Sequence, residues 1–96
     1  RITYHLNLLG PAITVDTTCS SSLTAIHLSC HGLWTKETEM AEGGGVFFQS
    51  TPAFYQASNK ANMLSPTGRC HTFDQIADGF VPAEGWGAEK LKPLID

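Results

Sequence analysis

Long apolar runs are missing from this sequence. No stretch approaches the ~18 residues that a bilayer-spanning helix needs, so a transmembrane segment is excluded and a membrane is not an expected partner. Basic residues are scarce, with six Lys and Arg against nine Asp and Glu and a net charge of −3. Such a balance offers little attraction for nucleic acid or an anionic lipid surface, so neither is expected as a ligand. Cysteines are few and odd in number, three in all, and none forms a CxxC pair. That argues against a disulfide framework and fits a reducing compartment, so a cytoplasmic location is expected. Repeats and low-complexity tracts are absent. So are an initiator Met and tail-like ends: "RITYHLNLLGP" reads as structured chain from its first residue, and "LKPLID" closes without a tail composition. The 96 residues are expected to be an internal piece of a longer protein, at most one small domain.

What is present is an alternation of short patterns. In "AITVD", Ile13 and Val15 alternate with Thr14 and Asp16, which predicts a strand over 12–16, punctuated at its start by Gly10-Pro11. From Ser20 to Trp34 the period becomes helical. Leu23, Ile26, Cys30, Leu33 and Trp34 share one bulky side, and Ala25, Leu28 and Gly32 lie opposite, a pattern expected of a helix buried between layers. "KETE" is a solvated connection. "MAEGGGVFF" predicts a second strand whose glycines permit close backbone approach. "STPAFYQASNKA" begins a second helix with Thr51 as N-cap and Pro52 at the first helical position. Ser65-Pro66-Thr67-Gly68 has the composition of a tight turn, and a weak final strand is expected over Gly87 to Leu91. Strands and helices alternate, so the class is α/β.

The chemistry centres on "VDTTCSSSL", Val15 to Leu23, which sets Cys19 between an apolar alternation and a helical one. On a sharp strand-to-helix turn the thiol projects into a cleft. The helix N-terminus adds positive potential and unpaired N–H groups that favour the thiolate, and the Cys19 backbone N–H is placed to help hold an oxyanion. The G-x-S-x-G elbow works by the same mechanics, but Thr17 and Ser21 stand here where that motif has glycines. The chemistry would be acyl transfer through a thioester. From the residues alone, a small core residue is the favoured reading of Cys19 and the nucleophile the lesser one. Cys30 is expected in the core, and Cys70 as an unreactive, partly buried thiol. His27 and His31 are four apart on the helix but lack the companions of a metal motif, so no metal is expected. A nucleophilic thiol needs a base or cation, and none of His5, His27, His31 or His71 has a spacing that marks it as the partner.

Several segments now align with a known pattern. "GPAITVDTTCSSSLTAIHL", "GGV", "MLSPTGRCHTFD", "ADGFVPAEG" and "LKPL" follow in the order found in β-ketoacyl synthase domains of type I polyketide synthases, over nearly the whole chain. The sequence resembles that family, and the resemblance selects the nucleophile reading of Cys19. It implies a thiolase-like, layered αβαβα fold built from two similar halves, of which residues 1–96 are a partial domain in the N-terminal half carrying the nucleophile region. It further implies that Cys19 accepts an acyl chain from the phosphopantetheine thiol of an acyl carrier protein. Decarboxylation of a malonyl-type extender then gives a carbanion that attacks the thioester. No cofactor is expected to bind the chain directly, since the carrier protein presents the phosphopantetheine. The expected partners are that carrier protein, other polyketide synthase domains and, in the complete domain, a second copy, with the strand over 12–16 near the dimer interface. The two histidines that members of the family use for decarboxylation normally lie beyond this stretch, so the isolated 96-mer is expected to be inactive. Alternatives are a fatty-acid type ketosynthase and a non-elongating, acyl-binding ketosynthase-like domain.

The sequence departs from the family pattern in places. Thr18 replaces the usual alanine before the cysteine, and Glu42 falls in a strand that is otherwise apolar. Trp86, Glu89 and Lys90 stand in "GWGAEKLK", where relatives carry valines. Charges in a buried strand need partners or exposure.

Overall fold

In a computed structural model, residues 1–95 are described, and they form two compact units. The first comprises Arg1–Val46 and the stretch from Trp86 onward; the second is Phe47–Gly85. The chain opens with a single helical turn, α1 (Ile2–His5), followed by an irregular stretch and a 3-10 turn at Thr18–Ser20 that leads into α2 (Ser21–Trp34). Strand β1 (Ala41–Phe47), helix α3 (Ala53–Lys60) and strand β2 (Gly85–Leu91) complete the order, with β1 and β2 paired in a two-stranded sheet.

In the first unit α2 lies on β1, and glycine makes the approach possible. A Cβ on Gly43 would sit 3.3 Å from Ile26 Cγ1 and from Ser29 Oγ, and one on Gly45 would sit 3.0 Å from Ser22 Cβ. Ser29 donates its hydroxyl proton to the Ala25 carbonyl at 2.9 Å and more weakly to Glu42 O at 3.4 Å, which ties the helix to the strand. Gly43, at the centre of this contact, is buried. No apolar side chain is buried among the described residues, and Leu23, Leu28 and Trp34 are exposed on α2. The side of α2 expected to lie between layers therefore has β1 on one flank and no covering element on the other among the described residues.

The second unit is held by rings and a short bridge. Phe54 on α3 meets Phe47 edge-on at 5.0 Å and Phe80 at 6.4 Å between ring centroids. Leu64 and Phe80 form an isolated parallel bridge in which Ser65 N–H donates to Phe80 O at 2.9 Å and Phe80 N–H to Met63 O at 3.0 Å. The turn at Ser65–Gly68 forms as its composition predicts, closed by a Gly68 N–H to Ser65 O bond of 3.4 Å. Asp78 braces it, accepting from Ser65 Oγ at 2.6 Å and from Thr67 Oγ1 at 2.9 Å. These two hydroxyl donors, Ser65 first, favour the ionised carboxylate and hold the Asp78 pKa below its ordinary value.

Some expectations are corrected. Residues 12–16 are not a strand: the alternation is present, but a strand needs a ladder partner, and the described sheet contains only β1 and β2. The cap of α3 is Pro52 rather than Thr51, although Thr51 Oγ1 still accepts from Ala53 N–H at 3.4 Å. β2 begins two residues earlier than expected, at Gly85, and its charged positions are exposed rather than buried. Trp86 is 85% exposed, and Glu89 and Lys90 are exposed as well. Glu42 is likewise exposed.

Candidate functional site

The segment around Cys19 is dense in hydroxyls, and such side chains bond to nearby backbone in competition with regular structure. The hydroxyls of Thr18, Ser20 and Ser21 do so here. Asp16 Oδ1 accepts the Thr18 N–H at 3.1 Å. Ser20 Oγ donates to Thr17 O at 2.9 Å, and Thr18 Oγ1 donates to the same carbonyl at 2.7 Å. Ser21 Oγ donates to Thr18 O at 2.7 Å and accepts the Thr17 N–H at 2.9 Å. Thr17 Oγ1 lies 2.8 Å from Ser20 Oγ and 3.3 Å from Thr24 Oγ1. The result is a sharp turn rather than an extended entry into α2, with Thr18 at φ +58°. A β-branched residue at positive φ is strained. The strain falls on the residue immediately before the cysteine.

Cys19 sits in the middle of this turn and is exposed. It is neither within a strand nor sealed beneath side chains. Two residues later α2 begins, continuous with the 3-10 turn, whose closing Ser21 N–H is donated to Thr18 O. The other sulfurs have different surroundings. Cys30 is half-buried and lines a groove of about 220 Å³ with Leu33, Trp34, Leu91, Pro93 and Leu94. Cys70 is exposed, contrary to the expectation of partial burial, because it lies in the open loop between the two residues of the Leu64–Phe80 bridge; its sulfur accepts the Val81 N–H at 3.3 Å.

The histidines make their ring contacts elsewhere: His5 edge-on with Tyr4 at 5.6 Å, and His27 with His31 at 6.4 Å and Trp34 at 6.3 Å. His71 lies near Asp78 and adds slightly to the lowering of its pKa. No three His, Cys, Asp or Glu side chains converge as a metal site would require among the described residues. No described helix is long and apolar enough to cross a membrane.

Comparison with known proteins places this arrangement. The family described as "Beta-ketoacyl synthase, N-terminal domain" matches residues 1–96. The chain belongs to that family. Its similarity to polyketide synthases is close. It is 51% identical over 96 residues to a mycocerosic acid synthase-like polyketide synthase of Mycobacterium tuberculosis, covering the whole of this chain and 5% of that protein. It is 54% identical over the same length to polyketide synthase PksL of Bacillus subtilis, covering 2% of that protein. Among solved structures, the ketosynthase from module 6 of the bacillaene synthase of Bacillus subtilis superposes with a TM-score of 0.92 at 54% identity, covering 97% of this chain and 17% of that one. An oxazolomycin ketosynthase domain from Streptomyces albus gives 0.89 at 45% identity, covering 97% of this chain and again 17% of the other. This β-ketoacyl synthase chain is therefore an α/β fragment of the thiolase-like layered fold, as the resemblance implied, and spans a small part of the proteins it matches.

The resemblance pointed to the turn and its cysteine. What it did not reveal is the hydroxyl scaffold centred on Thr17 or the positive φ at Thr18. The available signal was the density of Thr and Ser on both sides of one residue.

Proposed function

We infer that residues 1–96 are the nucleophile-bearing part of a polyketide synthase ketosynthase domain, with Cys19 as the acyl acceptor. The observation that carries this is an exposed cysteine at the turn into α2, in a chain of this family. The Cys19 thiolate attacks the carbonyl carbon of an acyl thioester presented on the phosphopantetheine of an acyl carrier protein. The tetrahedral oxyanion is held in part by the Cys19 N–H. The carbon–sulfur bond to phosphopantetheine breaks, and that thiol leaves with the proton Cys19 gave up. One thioester replaces another, so no co-reactant is consumed. In the complete domain a malonyl-type extender loses carbon dioxide, and the resulting carbanion attacks the acyl carbonyl carbon, breaks its bond to the Cys19 sulfur and gives a β-ketoacyl chain with Cys19 released as thiolate. Phosphopantetheine enters as part of the carrier protein, and other synthase domains and a second copy complete the assembly. Residues for the decarboxylation step are not assigned to His5, His27, His31 or His71.

The test uses a full-length domain bearing this segment. Incubation with an acyl-pantetheine thioester, followed by peptide mass analysis, should place one acyl group on Cys19, and Cys19→Ala should remove it while Cys30 and Cys70 stay free. Equal acylation of the three cysteines, or none at Cys19, overturns the assignment. The isolated 96-mer should form no β-ketoacyl product.

A further inference from the structure

We propose that Thr17 is the positioning residue of the Cys19 turn, through the contact of its hydroxyl with Ser20 Oγ and the clasp of its N–H by Ser21 Oγ. The inference rests on the reading of Cys19 as the acyl acceptor and deepens it.

Thr17 is the residue on which the scaffold converges. Its carbonyl accepts two hydroxyl protons, from Thr18 and Ser20, and its N–H donates to Ser21 Oγ. Ser20 has one hydroxyl proton, and the 2.9 Å bond to Thr17 O uses it. Satisfying that bond makes Thr17 the donor in its 2.8 Å contact with Ser20 Oγ, a pair in which either hydroxyl can donate, and leaves the Thr17 oxygen to accept from Thr24 at 3.3 Å. The proton assignment is complete only when residue 17 carries a hydroxyl. Thr17, Ser20 and Ser21 bracket Cys19 from both sides, so the backbone carrying the sulfur is pinned before and after it, while the sulfur itself stays exposed. The arrangement also holds Thr18 at its positive φ, by fixing its N–H on Asp16 and its carbonyl on Ser21.

Removing the Thr17 hydroxyl frees the turn to relax towards an ordinary backbone and moves the sulfur. A displacement of about 1 Å in a reacting atom costs on the order of 100-fold in rate. The loss falls on the chemical step rather than on thioester binding, because the hydrogen bonds of Thr17 all lie within the turn and the first turn of α2.

The experiment measures single-turnover acylation of Cys19 by an acyl-pantetheine thioester in a full-length domain bearing this segment, over a range of thioester concentration. Thr17→Val keeps the branched shape and deletes the hydroxyl. It should lower the maximal rate by about ten- to a hundredfold with little change in the half-saturating concentration. Thr17→Ser restores the hydroxyl and should recover most of the rate. Ser21→Ala removes the clasp on the Thr17 N–H without touching residue 17, and should lower the maximal rate in the same manner; it decides the matter if Thr17→Val does not fold. A wild-type maximal rate in Thr17→Val or in Ser21→Ala overturns the proposal, and so does a loss that Thr17→Ser fails to rescue. If the wild-type domain acquires no acyl group on Cys19, the functional reading falls and this inference with it. If Cys19 is acylated and the variants behave as wild type, only this inference falls.

Discussion

Gly79 occupies a position that no other residue can hold without moving the backbone. Its φ is +138°, in a region reserved for glycine, and a Cβ there would lie 2.6 Å from Leu64 C and Ser65 N and 2.7 Å from Met63 O. All three are main-chain atoms, so no side-chain rotation relieves the overlap. Gly79→Ala must therefore open the Leu64–Phe80 bridge. The cost has two parts. Backbone strain at such a φ amounts to about 1–3 kcal/mol. The two bonds of the bridge, Ser65 N–H to Phe80 O and Phe80 N–H to Met63 O, are worth about 1 kcal/mol each. A loss of about 3–5 kcal/mol is expected, which is a large part of the ~5–15 kcal/mol that keeps a typical domain folded. Urea unfolding of a full-length domain carrying the segment measures the total. Amide exchange at Ser65 and Phe80 localises it, since both amides should lose protection before those of α2. A variant with stability within about 0.5 kcal/mol of wild type and unchanged exchange at those amides would show that the close approach at Gly79 is not a constraint.

Thr18→Gly should change stability by no more than about 1 kcal/mol in the same unfolding assay, because relief of a strained φ of about 1–3 kcal/mol is offset by the ~0.4–1 kcal/mol gain in unfolded-chain freedom and by about 1 kcal/mol for the lost Thr18 hydroxyl bond to Thr17 O; a loss of about 2 kcal/mol or more would mean that the +58° conformation is not strained. Gly45→Val should lower stability by about 1–3 kcal/mol, since its Cβ alone would already press on Ser22 Cβ at 3.0 Å and part α2 from β1; a neutral result would contradict the packing described. The lowered pKa of Asp78 sets a sign for acid titration: the carboxylate's contribution is fully present above its unfolded-state pKa and is lost as pH falls through the lower folded value. Asp78→Asn should flatten that part of the acid limb of stability against pH, and a limb of unchanged slope would remove Asp78 from the account.

The helix over Ser21–Trp34, both observed strands and the Ser65–Gly68 turn were legible because each rests on short-range pattern: apolar period, glycine content, turn composition. The segment 12–16 has the same kind of pattern but depends on a neighbour. Alternation shows which face is apolar, whereas a ladder requires a second strand that the described residues do not supply there. Trp86, Glu89 and Lys90 illustrate the reverse case. Their exposure follows from what lies beside β2, and no local feature of "GWGAEKLK" encodes it. At the candidate site the start of a helix just after Cys19 was readable from the period, whereas the strand expected before it is absent, and the turn itself was pointed to by the resemblance. The role of Thr17 was not, because hydrogen-bond direction among neighbouring hydroxyls depends on how many protons each has to give, and that emerges only once distances are known.

The bare stretch of β1 opposite α2 has a consequence for tuning the chain. Where two elements meet through side chains, a rotamer change or a methyl more or less resets their spacing. Gly43 and Gly45 leave nothing of that kind to adjust on the strand, so the start of α2, and the sulfur-bearing bend just ahead of it, rides at a height set by the strand's bare main chain and the helix side chains that meet it. Variation that alters how far Cys19 stands from the sheet has to enter from the helix side, at Ser22, Ile26 or Ser29, and any residue larger than glycine on the strand acts as a shim that only lifts.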